Sequence, residues 1–224
     1  MSIWFDATVL PELGSPQFSP SGYAKVAPVA GQGGRGSAWF VDTAAGPAVL
    51  KHYRRGGWMA KITDDRYFAM HTTATRSFGE FNLLTYLRGE DLPVPAPLAA
   101  FALSRFGFYR AALLTARIAG ARSLVEAVHA QTAPWAEVGA TLARFHALHV
   151  RHPDLNAYNI LVDGDNRVYL IDWDKGAVDH SDGWFDKVIS RLVRSLHKEC
   201  AAVDADYLAS GVQQMRDAYD RGIA

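Results

Sequence analysis

The spacing of hydrophobic and polar positions predicts a β-rich first half of the chain. Residues 22–41 have apolar β-formers on both sides of a glycine cluster that cannot be helical, which predicts two strands joined by a turn. A third strand is predicted at 47–53, and residues 99–118 form a predicted hairpin that turns at 104–107. Residues 75–88 have the spacing of a helix. The first half is therefore predicted to be mostly sheet with one helix.

In the second half of the chain, the apolar residues have the spacing of helices, and one predicted β-hairpin interrupts them. Ser123 and Glu126 have the spacing of a capping box, which opens a short helix. Apolar positions at intervals of three and four residues predict three longer helices, and a pair of short apolar segments around a turn predicts a hairpin. The predicted helices cover residues 134–149, 184–198 and 204–220, and the predicted strands cover 160–162 and 168–171.

Composition fits one domain of two lobes and excludes some classes of function. The 224 residues are 49% hydrophobic, which is enough for a buried core, and 23 basic side chains balance 23 acidic ones. This balance argues against a nucleic-acid partner. No apolar segment has the length of a membrane span, and the single cysteine, Cys200, suits a reducing compartment. We expect a cytoplasmic protein with an N-lobe over 1–118 and a C-lobe over 119–224, the boundary lying near 116–120.

Carboxylates and amides are concentrated around the predicted hairpin of residues 160–171. Asp154 and Asn159 precede its first strand and Asp172 follows its second, so the hairpin brings Asn159 and Asp172 together. Their oxygens suit Mg²⁺, and Asp154 is left to accept a proton. Each residue alone could instead satisfy the local backbone in an Asx turn, but the spacing H-x-D-L-x-x-x-x-N followed by I-D favours chemistry. For Asp174, a second metal contact and a cap on the following segment both stay open.

Two features of the first half fit phosphate binding. A G-x-G-x-x-G pattern precedes a strand, which predicts a flap whose backbone amides cover phosphates, although an ordinary glycine turn has the same pattern. Lys51, which alone could be an outward-facing strand residue, lies in an apolar strand, and Glu80 lies in the apolar face of the predicted helix. A buried carboxylate needs a partner, so we predict an ion pair that positions Lys51 for phosphates. The glycines are Gly31, Gly33, Gly34 and Gly36.

Together these motifs resemble the protein-kinase-like fold from residue 31 to about residue 196. Longer phrases resemble the 3-deoxy-D-manno-octulosonic acid (Kdo) kinases of lipopolysaccharide synthesis, in the lipopolysaccharide-kinase group. These phrases are KHYRRGG at 51–57, LPVPAP at 92–97, HPDLNAYNIL at 152–161 and IDWDKG at 171–176.

The resemblance implies a two-lobe α+β fold with a β-rich N-lobe and a reduced helical C-lobe. It also implies transfer of phosphate from ATP, with Mg²⁺, to the 4-hydroxyl of Kdo on a lipid A precursor at the cytoplasmic face of the inner membrane. Asp154, Lys51, Glu80, Asn159 and Asp172 are the expected catalytic residues. The expected nucleotide-binding residues are Gly31, Gly33, Gly34, Gly36 and Lys51, and the expected metal ligands are Asn159, Asp172 and Asp174.

Departures from protein kinases favour a small or lipid-linked acceptor. Pro153 stands where protein kinases usually have arginine, and Asn156 replaces the lysine typical of Ser/Thr kinases. Residues 173–174 are Trp-Asp rather than Phe-Gly, and no A-P-E sequence occurs. His152 is expected to form structural hydrogen bonds rather than to act as the base. The alternatives are a kinase for heptose, another small molecule or a protein, and a catalytically inactive kinase-like binding module.

Two surfaces are candidates for contact with the membrane or with the acceptor. Basic side chains recur along one side of the predicted helix 184–198, where they could meet anionic lipid or the acceptor's charged groups, or simply be solvated. The second candidate is the segment 56–61, with Tyr67, Phe68 and Met70 nearby. The basic residues of the helix are Lys187, Arg191, Arg194 and Lys198.

Overall fold

The computed structural model describes residues 2–5, 10, 13–29, 38–53, 67–68, 75–105 and 108–223. The chain divides into two compact units, Met1–Tyr86 with Pro95–Arg117 and Leu87–Val94 with Ile118–Ala224. The segment Leu87–Val94, which our lobe boundaries place in the N-lobe, thus groups with the second unit. Hydrogen bonds explain this, because Leu170 N–H donates to the Pro93 carbonyl (3.0 Å) and Arg144 donates to the Asp91 carbonyl (2.6 Å).

Seven of the described strands form one antiparallel sheet in the first unit. They are β1 (Ser2–Phe5), β2 (Val26–Pro28), β3 (Ala38–Thr43), β4 (Gly46–His52), β5 (Tyr67–Phe68), β6 (Pro97–Arg105) and β7 (Phe108–Ala116). Their order is β1-β6-β7-β4-β3-β2, with β5 also beside β7. The predicted strand pair in residues 22–41, the third strand and the hairpin of residues 99–118 are confirmed, while β1 and β5 were not predicted.

Side chains alternate along β4, so that one face of the strand packs into the core of the first unit and the other face carries Lys51. Ala48 and Leu50 are fully buried in an apolar cluster with residues of β3, β6 and β7. Lys51 points to the opposite face, because successive side chains of a strand alternate. The predicted helix is confirmed as α1 (Arg76–Gly89), and Ser77 near its start donates to the Phe101 carbonyl of β6 at 2.9 Å.

The second unit contains four described helices and two small antiparallel sheets. The helices are α2 (Leu124–His129), α3 (Trp135–Ala147), α4 (Phe185–Glu199) and α5 (Ala205–Ile223). The strands are β8 (Arg122–Ser123), β9 (Val150–Arg151), β10 (Ile160–Val162), β11 (Val168–Leu170) and β12 (Ala177–Val178). Strands β10 and β11 pair as the predicted hairpin. The predicted capping box is present, since Ser123 Oγ accepts from Glu126 N–H (3.2 Å) and the Glu126 carboxylate accepts from Ser123 N–H (2.7 Å).

Helix α3 ends two residues earlier than predicted. Trp135, Val138, Leu142 and Phe145 form its buried face as the pattern indicated. His149 lies past Ala147, where the helix ends, and has φ of 54°, a left-handed conformation that cannot continue an α-helix.

The predicted α+β class is confirmed, with a sheet and most of α1 in the first unit and mostly helices in the second. Among the helices of the described residues, none is both long enough and apolar enough to cross a membrane.

Candidate active site

The predicted ion pair between Lys51 and Glu80 is present in the first unit. Lys51 Nζ lies 2.7 Å from Glu80 Oε2 and 3.1 Å from Oε1, so both carboxylate oxygens accept from the ammonium group. Tyr53 donates its hydroxyl to Glu80 Oε2 at 2.6 Å. The Lys51 ammonium also lies 4.9 Å from the centre of the Tyr53 ring. One carboxylate therefore receives hydrogen bonds from two residues of the same strand segment.

Burial leaves the lysine as the accessible member of this cluster. The Glu80 side chain is 3% exposed and Lys51 is 22% exposed. A buried carboxylate is costly unless it is paired and hydrogen-bonded, and Lys51 and Tyr53 meet this need. The Lys51 side chain is flexible and stays partly exposed to solvent, which is what a phosphate-binding lysine requires. The role of Lys51 in phosphate binding stays a prediction.

The predicted glycine flap lies outside the described residues, and so do Gly31, Gly33, Gly34 and Gly36. The candidate membrane segment 56–61 and Met70 also lie outside them. The proposals for these positions rest on the sequence.

A hydrogen-bonded loop before β10 carries Asp154. Asn156 Oδ1 accepts from the N–H groups of Tyr158 (2.9 Å) and Asn159 (3.2 Å), and its Nδ2 donates to the Asp154 carbonyl at 3.0 Å. The Asn159 amide Nδ2 donates to the same carbonyl at 2.9 Å. These bonds hold the backbone of Asp154, while its carboxylate is 65% exposed. Asp154 is thus positioned by its main chain, and its side chain is accessible to a substrate.

His152 connects this loop to the far end of the hairpin. Its Nε2 contacts the Ile171 carbonyl at 2.9 Å, and its Nδ1 accepts from the Asp154 N–H at 3.2 Å. Since a carbonyl can only accept and an amide N–H can only donate, the ring carries its proton on Nε2. The ring is buried and lies 4.6 Å from that of Trp173. His152 therefore has the structural role that was expected.

The hairpin brings the backbones of Asn159 and Asp172 close together. Ile171 N–H donates to the Asn159 carbonyl at 3.0 Å, which extends the β10–β11 ladder by one step. Asp172 follows with φ of 63°, a left-handed conformation that only a few residue types, aspartate among them, adopt readily. Such conformations cluster at functional sites because surrounding contacts must enforce them.

The donor set around the hairpin fits Mg²⁺ bound with a nucleotide. Because Asn159 uses Nδ2 for the Asp154 carbonyl, its Oδ1 is the atom that can bind a cation, and Asp172 adds a carboxylate. Asp174 lies in the turn that the Gly176 N–H closes on the Trp173 carbonyl. Within the described ranges, no group of three His, Cys, Asp or Glu side chains could hold a metal. Mg²⁺ needs no such cage, since it is usually held by one or two carboxylates, waters and substrate phosphates.

Helix α4 contacts the Asp154 loop along one ridge. Arg191 Nη1 forms an ion pair with Asp154 Oδ1. One turn further on, Ser195 Oγ accepts from the Ala157 N–H at 3.1 Å. In the last turn, Glu199 Oε2 accepts from the Tyr158 hydroxyl at 3.3 Å. Burial, and then the charge and hydrogen bond of the Glu199 carboxylate, raise the pKa of Tyr158.

Comparison with known proteins decides the family. The family model described as "Lipopolysaccharide kinase (Kdo/WaaP) family" matches residues 24–219. The chain belongs to this family. This confirms the resemblance to the Kdo kinases that the sequence indicated. The protein-kinase-like fold and the assignment to phosphotransferases are confirmed as well.

Members of the lipopolysaccharide kinase family that are similar to this chain include three proteins named 3-deoxy-D-manno-octulosonic acid kinase. The protein from Stenotrophomonas maltophilia (strain R551-3) is 43% identical over 222 residues, which are 98% of this chain and 89% of the relative. The protein from Xylella fastidiosa (strain 9a5c) is 40% identical over 98% of this chain and 89% of the relative. The protein from Xanthomonas oryzae pv. oryzae (strain PXO99A) is 42% identical over 92% and 86%.

Two residues of this lipopolysaccharide kinase that contact predicted site residues were not predicted from the sequence: Tyr53 contacts Glu80, and Arg191 contacts Asp154. Tyr53 could have been found, since it follows Lys51 by two positions and therefore shares its face of the strand. Arg191 was recognised only as one member of a basic helix face. Nothing in the local sequence relates it to Asp154, which lies 37 positions away.

Proposed function

We propose that this protein transfers the γ-phosphate of ATP to the 4-hydroxyl of Kdo on a lipid A precursor, during assembly of the lipopolysaccharide inner core. One observation carries the proposal: relatives named for this sugar acid are similar over nearly the whole chain, as the 43% identity over 98% of its residues illustrates. The arrangement of Asp154, Asn159 and Asp172 supports it, because it supplies an accessible carboxylate beside oxygens suited to Mg²⁺.

Lys51 is proposed to contact the phosphates of ATP. Glu80, which also accepts a hydrogen bond from Tyr53, holds its ammonium group, so little conformational freedom is lost when a phosphate oxygen binds. We also assign the backbone amides of residues 31–36 to the phosphates, on the basis of the glycine pattern. Positioning and charge neutralisation account for most of the catalysis of phosphoryl transfer, and the protein forms no covalent bond to the phosphate.

Asn159 and Asp172 are proposed to hold Mg²⁺, with Asp174 as a further ligand. The ion would neutralise the charge of the phosphate oxygens. Two observations support this proposal: the Asn159 Nδ2 donates to the Asp154 carbonyl, which leaves Oδ1 for the ion, and Asp172 has a left-handed backbone of the kind found at functional sites.

Asp154 is proposed to orient the acceptor hydroxyl and accept its proton. As the hydroxyl oxygen forms its bond to the γ-phosphorus and the bond to ADP breaks, the proton passes to the carboxylate. The side chain is accessible for this role, because hydrogen bonds to the main chain of the residue hold the loop in place.

We propose that the protein acts at the cytoplasmic face of the inner membrane as a peripheral protein, because the proposed acceptor is lipid-linked. The basic residues of α4 support this proposal, since Lys187, Arg191 and Arg194 are exposed on one side of the helix. Basic side chains near an anionic membrane surface each contribute about 1 kcal/mol of binding free energy.

The product formed from ATP and a Kdo-lipid A precursor tests the proposal. Mass spectrometry should show the addition of one phosphate, and fragmentation should place it on Kdo. Asp154→Ala should lower kcat by about 10²- to 10⁴-fold with little change in ATP affinity. Phosphate transfer to casein or to heptose but not to the Kdo acceptor would reject this substrate, and a wild-type rate in Asp154→Ala would reject the role of Asp154.

A further inference from the structure

The ion pair between Arg191 and Asp154 contributes little to stability. The two side chains are 50% and 65% exposed, and exposed pairs are typically worth about 0–1 kcal/mol. The pair nevertheless involves the carboxylate that is proposed to accept the proton of the acceptor hydroxyl. Its consequence should therefore be sought in substrate binding.

Helix α4 fixes where the guanidinium lies. Arg191, Ser195 and Glu199 are four residues apart, so they form one ridge along the helix. Ser195 and Glu199 accept from Ala157 and Tyr158 of the Asp154 loop. These two contacts set the register of the helix against the loop and keep Arg191 beside Asp154 whether or not the ion pair is formed.

The Arg191 guanidinium has more N–H donors than its ion pair with Asp154 uses. An arginine carries five N–H donors in a planar fork that matches a carboxylate. In the described part of the chain, Asp154 is the acceptor that the structure gives for Arg191, through Nη1 alone. Lys187 and Arg194 are exposed on the same side of α4, so an anion approaching Asp154 meets positive charge.

We propose that Arg191 binds the carboxylate of the acceptor and thereby makes the enzyme selective for an acidic sugar. The inference rests on the proposed function, in which the acceptor is a sugar acid. One edge of the guanidinium stays on Asp154 and another binds the acceptor's carboxylate. The contact holds the acceptor where Asp154 meets its hydroxyl, so Arg191 is a residue of substrate specificity.

The test compares a Kdo-lipid A precursor with the same compound whose Kdo carboxylate is methyl-esterified. At saturating ATP, esterification should lower kcat/KM of the wild-type enzyme by about 10- to 100-fold, the value of a charge-assisted hydrogen bond. Arg191→Gln should show a similar loss with the free acid, mainly as a raised KM, and little further loss with the ester. Arg191→Lys should recover part of the preference, because it keeps the charge but not the fork.

Arg216→Gln is the matched control, since it removes one exposed arginine from α5 of the same unit. It should retain the wild-type preference, and all variants should keep the wild-type thermal unfolding temperature. The inference is wrong if wild type does not distinguish acid from ester, or if Arg191→Gln leaves the preference intact. It is also wrong if that variant lowers kcat equally for both compounds at unchanged KM. A wild-type enzyme that phosphorylates neither compound would instead reject the proposed function itself.

Discussion

Three buried polar side chains of this lipopolysaccharide kinase, those of Glu80, His146 and His152, have contacts with specific roles. Glu80 is held by Lys51 and Tyr53, and His152 connects the Asp154 loop to the end of the hairpin. His146, also buried, is surrounded by aromatic rings of the second unit. At the scale of single residues, these contacts predict how stability responds to substitution and to pH.

Tyr53→Phe should reduce both stability and nucleotide affinity. The substitution removes the hydroxyl that donates to Glu80 Oε2 at 2.6 Å in a buried site. A hydrogen bond to a charged group contributes about 1.5–3 kcal/mol, so the free energy of unfolding in urea should fall by that amount. The KM for ATP should rise, because Glu80 loses one of its hydrogen bonds and then holds Lys51 less firmly. Tyr86→Phe, which alters a tyrosine that is 42% exposed, is the control, and equal stability of the two variants would contradict the prediction.

His146 should make the protein less stable in mild acid. Burial lowers the pKa of His146 from 6.5 to about 4, so the folded protein holds the neutral ring. The unfolded chain takes up a proton near pH 6.5, so this stability is complete above that pH and is lost as the pH falls towards 4. Between pH 7.5 and pH 5.0 the loss should be about 2 kcal/mol.

Urea unfolding of wild type and His146→Gln at these two pH values measures this contribution. Glutamine can still hydrogen-bond to the Tyr219 hydroxyl, which lies 2.6 Å from His146 Nδ1, but it does not titrate in this range. The pH dependence of the variant should be smaller by about 2 kcal/mol. The same pH dependence in both proteins would show that His146 is not the source.

At the scale of elements, the second unit depends on a close approach of α3 and α5. A Cβ atom at Gly139 would lie 2.0 Å from the Met215 carbonyl oxygen and 2.9 Å from the Tyr219 nitrogen. A Cβ at Gly211 would lie 2.1 Å from the Trp135 ring. The two helices can therefore approach this closely only because each presents a glycine, Gly139 against the backbone of α5 and Gly211 against the Trp135 ring of α3.

Gly139→Ala should lower the free energy of unfolding by about 3 kcal/mol, the upper end of the range for overpacked cores, since its neighbour is main chain that cannot rotate away. Gly79→Ala is the matched control in α1, where a Cβ meets nothing within 4 Å. That substitution should stabilise the protein by about 0.5–1 kcal/mol, because alanine favours the helix. Denaturant unfolding of both variants checks the prediction, and a neutral Gly139→Ala would show that the helices can separate without cost.

At the scale of the whole molecule, the effect of a ligand on stability tests the roles proposed for residues of each unit. Lys51 and Glu80 belong to the first unit, and Asp154, Asn159 and Asp172 belong to the second. A ligand that binds only the folded protein stabilises it according to its concentration relative to Kd. Thermal unfolding with and without ATP and Mg²⁺ therefore reports on residues that are far apart in the sequence.

ATP with Mg²⁺ at 100 times its Kd should raise the free energy of unfolding by about 2.7 kcal/mol. In Asp172→Asn, most of the Mg²⁺-dependent part of this rise in the free energy of unfolding should be lost, because asparagine keeps the left-handed backbone but removes the charge. Lys51→Met should weaken the shift produced by ATP alone. A wild-type Mg²⁺-dependent shift in Asp172→Asn would remove Asp172 from the metal site.

The sequence by itself determined most of the longer elements and the family. Helices and strands such as α1, β4 and the β10–β11 hairpin were predicted because their periodicity and caps are local properties. The pairing of Lys51 with Glu80 was predicted because a carboxylate in an apolar helix face requires a partner, and the chain offered a lysine in an apolar strand. The family followed from motifs at fixed spacing, which need no coordinates.

Only the tertiary structure decided which distant side chains meet. Strand β1 joined the sheet through β6, about a hundred residues away, and no local pattern specifies such a partner. The segment Leu87–Val94 joined the second unit through hydrogen bonds of Asp91 and Pro93 with α3 and β11. Arg191 met Asp154 because Ser195 and Glu199 set the register of α4. Periodicity predicts which face of an element is polar, but packing of the whole chain determines what that face contacts.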